Sequence, residues 1–371
     1  MLIENLGYRA PGLRDVIELL GQKQGRPLSE AASADDFFIP AAVLHSDPLI
    51  SYSGIVPGAP LGVASLLNGR LHAGPAWFLI SPTWSIEAEP VARTLHHQAA
   101  LHRSTNPLHR IVFMCNTEAE AAMMRSCGEA AIAHNKTTNV SEETFRPLES
   151  EPIEFDAVYN AQLAPWKRHE LALEVPSCAF LFYRGINSTR ESEAALIAHH
   201  RKTAPGHVFI NEIDDEGVPV RLEPQTVNCY LNRASVGLCL SAKEGAMFAC
   251  AEYLLSGLPV VTTANKGGRD FYLDNDFCIC VTDDPRAVAA GVAALKARGI
   301  PRQLVRERTL RRILSERSRF IELINAIYAE SGITQEFSGF WPLERPVIME
   351  WIRPKDARRN AIRGIVDELT S

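Results

Sequence analysis

The stretch from Val236 to Gly268, VGLCLSAKEGAMFACAEYLLSGLPVVTTANKGG, constrains this chain more than any other. It opens on an apolar run, Val236 to Leu240, short enough for a buried strand. Lys243-Glu244-Gly245 follows as a loop, and Ala246 to Leu255 has the spacing of a helix. Gly257 and Pro259 end that helix, and the β-branched run from Pro259 to Thr263 reads as a second strand. The stretch is therefore one strand-helix-strand unit with its loops at the strand ends.

In an open parallel sheet, ligands bind just beyond the carboxyl ends of the strands, where helix N-termini offer N–H groups to an anion. Glu244 falls in such a loop and Glu252 comes eight positions later. If both lie along one helix, they share nearly one face at a separation of about 12 Å by helical rise.

The rest of the chain fits the same kind of sheet. Leu49 to Ser53, Ala76 to Ser81, Arg110 to Cys115 and Ala130 to His134 read as strands, separated by a loop and by helices over Val63–Leu71, Ile86–His102 and Thr117–Cys127. Phe155 to Tyr159, Cys178 to Tyr183 and His207 to Asn211 continue the alternation, with a helix from Glu170 and another around Glu191–Lys202. A chain of 371 residues is long enough for two domains of ordinary size, and the acidic, proline-bearing segment Glu149–Glu154 reads as the linker between them. Residues 1–46 read as a leader in front of the first regular strand, with helical spacing over Gly12–Gln22 and a strand over Phe37–Leu44.

Composition excludes several classes. With 46% hydrophobic and 22% charged residues the chain is an ordinary globular one, and no apolar run approaches a membrane span. Its start, MLIENLGYRAPGLRD, lacks the layout of a signal peptide. A net charge of −6 gives no general attraction to nucleic acid. The eight cysteines show neither a zinc spacing nor a C-x-x-C pair, which suits reduced thiols in the cytoplasm.

The spacing of Glu244 and Glu252, with Gly245 behind the first and Ser256-Gly257-Leu258-Pro259-Val260-Val261 behind the second, resembles the E-x7-E signature of retaining glycosyltransferases of the GT-B fold (glycosyl transferases group 1, GT4-like). Asn139-Val140 through Phe145-Arg146-Pro147 is similar to the stretch that closes the first domain there, and Lys266-Gly267-Gly268-Arg269-Asp270 to the glycine pair after the second strand. The resemblance implies an α/β fold of two Rossmann-like domains facing a central cleft: an N-terminal acceptor domain over 1–150 and a nucleotide-sugar domain over 151–335. It also implies that a tail over 336–371, helical from about Lys355, returns to the first domain.

The same resemblance implies that a sugar passes from a nucleoside-diphosphate donor to a glycan or other hydroxyl acceptor, in surface polysaccharide or glycoconjugate synthesis, with no metal and no further cofactor. Glu244 would contact the transferred sugar, the N–H groups of Ala246, Met247 and Phe248 the β-phosphate, and Glu252 the ribose. Lys167 matches a lysine that clamps the diphosphate, whereas Gln162 stands in place of the clamping arginine and Arg168 in place of a glycine, so that Arg168 is the candidate replacement. Gly58 is the candidate for a glycine near the donor phosphates, and Met247, where relatives carry glycine, is expected to narrow the room beside the sugar.

His96 and His97 read as solvated histidines. The helix Arg302–Arg319 holds seven arginines; it reads first as amphipathic with a solvated basic face and second as a contact with a polyanion or with a membrane surface, at the inner face of the membrane. Two other readings stay open beside the transferase: a GT-B protein that binds a nucleotide sugar without transferring it, as a regulatory or scaffolding subunit, and a sugar-nucleotide epimerase of the same fold.

Overall fold

A computed structural model describes residues 39–45, 47–55, 59–65, 74–184, 188–215, 217–337 and 350–352. The expected leader helix, Gly58 and the helix from Lys355 lie outside the described residues. The chain divides into two compact units, one of residues 1–136 and 317–371 and one of residues 137–316.

The first unit is built on a six-stranded sheet. Its strands are β1 (Ile39–His45), β2 (Leu49–Gly54), β3 (Ala76–Ser81), β4 (His109–Cys115), β5 (Ala130–Ala133) and, from the chain's other end, β12 (Glu350–Ile352). Their order is β12-β1-β2-β3-β4-β5. Strands β2 to β5 run parallel, and β1 is antiparallel to both β2 and β12. Helices α1 (Glu89–Thr105) and α2 (Glu118–Ser126) belong to this unit. Thr117 caps α2 by accepting the N–H of Glu120 at 3.1 Å, as the Thr-x-x-Glu spacing predicts. Where a helix over Val63–Leu71 was expected, the described part is one tight 3-10 turn, Gly62–Ser65.

The second unit carries β6 (Phe155–Asn160), β7 (Cys178–Leu181), β8 (His207–Phe209), β9 (Ala234–Cys239), β10 (Val260–Thr263) and β11 (Cys278–Val281) in one all-parallel sheet. Its helices are α3 (Arg190–Thr203), α4 (Pro224–Asn232), α5 (Phe248–Leu255) and α6 (Pro285–Arg298). Strands β7, β9 and β10 are almost wholly buried, as a sheet with both faces covered requires. The strand order is β11-β10-β9-β6-β7-β8. The chain therefore winds outward from β6 through β7 to β8, then returns to lay β9 on the other side of β6. That is the doubly wound Rossmann order, and it puts the switch point between β6 and β9.

Both units thus have the α/β architecture with a mainly parallel sheet expected from the sequence; the doubly wound order is that of the second unit, while the strands β1 to β5 of the first lie side by side in chain order. The division between them falls at residue 136 rather than 150. Residues just past that point are fastened to the second unit: Asn228 and Asn232 accept the N–H groups of Arg146 and Leu148 at 3.2 and 2.8 Å.

Helix α7 (Arg302–Glu330) ends the second unit and re-enters the first at residue 317, so the return begins earlier than the expected 336. Within the first unit, Phe320 of α7 lies against Tyr52 and His134, with ring centroids 5.7 and 5.0 Å apart. The arginines at the start of α7 are not a free basic face. Arg302 and Arg306 donate to Ser256 and Leu255 carbonyl oxygens at the end of α5, at 3.2 and 3.0 Å, and Arg308 and Arg312 pair with Asp276 and the Phe271 carbonyl. Among the described residues no helix is long and apolar enough to cross a membrane.

Candidate functional site

The candidate site lies at the switch point of the second unit, on the loops that leave β6 and β9. At the end of β6 the backbone N–H of Asn160 donates to the Tyr253 hydroxyl at 2.6 Å, and its side-chain amide donates to Glu252 Oε2 at 3.1 Å. Two residues of α5 are therefore set by the end of a neighbouring strand. The loop then turns through Pro165–Lys167 and His169–Ala172 as two 3-10 segments, where a helix from Glu170 was expected.

Lys167 is buried, and its ammonium donates to Glu244 Oε1. This joins the two sequence-predicted residues across the switch point. Arg168 sits at φ +53°, in the left-handed region that a glycine would enter freely. A non-glycine residue there costs roughly 1–2 kcal/mol. Its side chain offsets that cost: Nε donates to the Leu240 carbonyl at 2.6 Å, Nη2 to Thr263 Oγ1 at 2.7 Å, and Nη1 pairs with Asp283 at 2.7 Å. Arg168 is thus a strut between the ends of β9 and β10, and its guanidinium is committed there rather than held out as a replacement clamp.

Glu244 is placed by two loops that lie together. Its backbone N–H donates to the Lys266 carbonyl at 3.1 Å, Lys266 N–H donates to Ala242 at 3.0 Å, and Gly268 N–H to Gly245 at 2.7 Å. Arg269 supports both loops from beneath; its side chain has 0% exposure and donates to the Ser241 and Thr263 carbonyls and, at 2.6 Å, to Thr262 Oγ1.

Helix α5 starts at Phe248, two residues later than the sequence suggested. Ala246 and Met247 precede it, so the first helical N–H groups belong to Phe248 and Ala249, and no side chain caps them. The helical-rise separation between Glu244 and Glu252 does not apply, since only the second acid is on the helix. Met247 is 5% exposed and packs in the hydrophobic core.

The electrostatics single out Glu252. Its carboxyl is pushed up to about 7 by burial, against which the Asn160 hydrogen bond and the positive charge of Arg221 act. Tyr183, just past the end of β7, is 46% exposed. Its phenol is raised to about 12, first by the surrounding protein and then by the negative charge of Glu244, while a hydrogen bond with Gln162 opposes the shift; Glu252 raises it further. A phenol held neutral beside two carboxylates is a hydrogen-bond donor at any physiological pH.

Sequence reasoning passed over Asn160, Tyr183 and Arg221. Asn160 and Tyr183 carried one usable signal, their position at the carboxyl ends of adjacent strands; Arg221 carried none. In the first unit, His96 pairs through Nδ1 with Glu129 at 2.7 Å.

Neither a protein-family model nor a curated protein sequence matches the chain. Among solved structures, a complex of Anabaena HepE with UDP and glucose is similar at 12% identity and a TM-score of 0.49, over 67% of this chain and 71% of that one. Sucrose-phosphate synthase from Thermosynechococcus elongatus is similar at 15% identity and a TM-score of 0.49, over 68% and 74%. The pneumococcal O-GlcNAc transferase GtfA, in complex with UDP and GlcNAc, is similar at 12% identity and a TM-score of 0.45, over 66% and 56%.

Proposed function

We propose that this chain is a retaining glycosyltransferase that moves a sugar from a nucleoside-diphosphate sugar to a hydroxyl acceptor, in the synthesis of a surface polysaccharide or other glycoconjugate. The observation that carries the reading is the gathering of Lys167, Glu244 and Glu252 at the switch point of an all-parallel, doubly wound sheet. Glu252, on the second turn of α5, accepts hydrogen bonds from the ribose hydroxyls, each worth about 1.5–3 kcal/mol to a charged acceptor before desolvation. The N–H groups of Phe248 and Ala249 meet the β-phosphate at the uncapped start of α5.

Lys167 meets the charge that develops on the leaving diphosphate, and Glu244, which holds Lys167 in place, faces the sugar. The bond from C1 to the phosphate oxygen breaks, the acceptor oxygen bonds to C1, and the acceptor's proton leaves with the diphosphate. None of these roles calls for a metal ion. A second reading, nucleotide-sugar binding without transfer, is favoured by one observation: Gln162 is neutral and Arg168 is tied to the strand ends, which leaves Lys167 as the one clamp on that loop.

Proton NMR of UDP-, GDP-, ADP- and CMP-sugars incubated with the protein and a chelator separates the readings, since active transferases leak some sugar to water. We expect one donor to be hydrolysed with the anomeric configuration of the donor in the first product, and Lys167→Ala to lower the rate by about 10²–10³-fold. A donor that binds but is never cleaved would support the binding protein instead, and an inverted first product would overturn retention.

A further inference from the structure

A diphosphate brings several negative charges to a site, and the cations built into the switch point are already engaged. Lys167 is paired with Glu244, Arg168 with Leu240, Thr263 and Asp283, and Arg269 with Ser241, Thr262, Thr263 and Asp270. Lys243 and Lys266 are exposed, but they are partners in a parallel bridge.

Arg221, like the side chains of those two lysines, is exposed and, among the described residues, has no hydrogen-bond or ion-pair partner. Its place is nevertheless fixed. The buried side chain of Asn211, 7% exposed, accepts the N–H of Phe182 at 2.8 Å and donates to the Val220 carbonyl at 2.8 Å. That amide ties the end of β7 to the segment after β8, so the next residue on each, Tyr183 and Arg221, are neighbours.

Two further bonds hold the arrangement from either side: Arg184 donates to the Gly217 carbonyl at 2.7 Å, and Val220 N–H to Glu212 at 2.8 Å. The charge of Arg221 reaches both the Glu252 carboxyl and the Tyr183 hydroxyl, and the Tyr183 carbonyl accepts the N–H of Leu163, on the loop that leads to Lys167, at 3.3 Å.

We propose that Arg221, set beside Tyr183 by the Asn211 amide, is a ligand-binding residue that takes the diphosphate of the nucleotide, with the Tyr183 hydroxyl as the neutral donor next to it. The inference rests on the donor site proposed above. An unpaired guanidinium loses no existing partner when the diphosphate arrives, and its planar fork matches two phosphate oxygens at once. Lys167 is thereby left to the bond that breaks, while Arg221 supplies affinity.

The test is titration of the full-length protein with UDP, GDP and ADP and, by competition, with uridine, guanosine and adenosine. Arg221→Gln, Arg221→Lys, Glu252→Gln and the Lys243→Gln/Lys266→Gln double variant are compared, each with its Tm. Measured well above pH 7, where Glu252 is ionised in both proteins, Arg221→Gln is expected to keep its Tm, lose about ten- to a hundredfold in affinity for the diphosphate that binds wild type, and hold the matching nucleoside within twofold. Arg221→Lys should recover part of the loss. Equal diphosphate affinity in Arg221→Gln and wild type, an equal loss for the nucleoside, or a matching loss in the double lysine variant would each overturn the inference while leaving the donor site standing. Wild type that binds no diphosphate, or Glu252→Gln that binds like wild type, would instead remove the donor site and this inference with it.

Discussion

Burial drives the Glu252 proton on, while the Asn160 amide and the charge of Arg221 drive it off, and the balance falls at about 7, where an ordinary glutamate would be near 4.5. The other titratable groups that sense this carboxyl are the phenols of Tyr183 and Tyr253, both raised and so neutral at these pH values. A carboxylate accepts from two ribose hydroxyls, whereas the protonated acid turns one of its oxygens into a donor. Affinity for a nucleoside-diphosphate sugar, whose diphosphate does not titrate near neutrality, should therefore rise as pH goes from 6 to 8, and Glu252→Gln should flatten the profile. The stability sign runs the other way: a carboxyl whose folded pKa is raised favours the folded state at low pH and loses that contribution as pH rises through about 7. Glu252→Gln should then gain more Tm relative to wild type at pH 8 than at pH 5. Titrations and melting curves at the two pH values check both.

At the scale of elements, α5 and β9 are fitted to each other through one missing side chain. A Cβ built on Gly237, in the middle of β9, would come within 2.5 and 2.6 Å of the Tyr253 ring. Tyr253 in turn holds the Asn160 N–H, and Asn160 holds Glu252. Gly237→Ala is expected to cost about 1–3 kcal/mol by overpacking and to weaken nucleotide binding in the same protein, because the ring cannot move without moving the end of β6. Chemical denaturation and a binding titration on the one variant test the link; lost stability with unchanged affinity would break it.

This is also where the sequence was only partly legible. The apolar run of β9, the helix stop at Gly257 with φ +80° and the β-branched β10 could be read directly. The helix start could not, because the apolar Met247 is drawn into the core and delays α5 to Phe248. Arg168 shows the same limit: the sequence put an arginine in a glycine's place, but only the fold shows that the place is left-handed and that the side chain bonds to two strand ends. The arginines of α7 look like a basic face until the carbonyl oxygens at the end of α5, some fifty residues away in sequence, are brought beside them.

For the whole molecule, the division into two α/β units was legible from alternating strands and helices, and the candidate site from two acids and a lysine at strand ends. Their meeting was not, since it depends on β9 returning to lie beside β6 after the chain has gone out to β8. Tyr183 and Arg221 are neighbours for the same kind of reason, an amide on Asn211 that joins two distant segments. The central claim, that the switch point of the second unit holds a nucleoside-diphosphate sugar, is tested most directly by calorimetric titration of UDP-, GDP-, ADP- and CMP-sugars into the wild-type protein and Glu252→Ala. The account predicts that one donor binds wild type and that the variant loses at least tenfold of that affinity. Binding of no donor to wild type, or equal binding to both proteins, would contradict it.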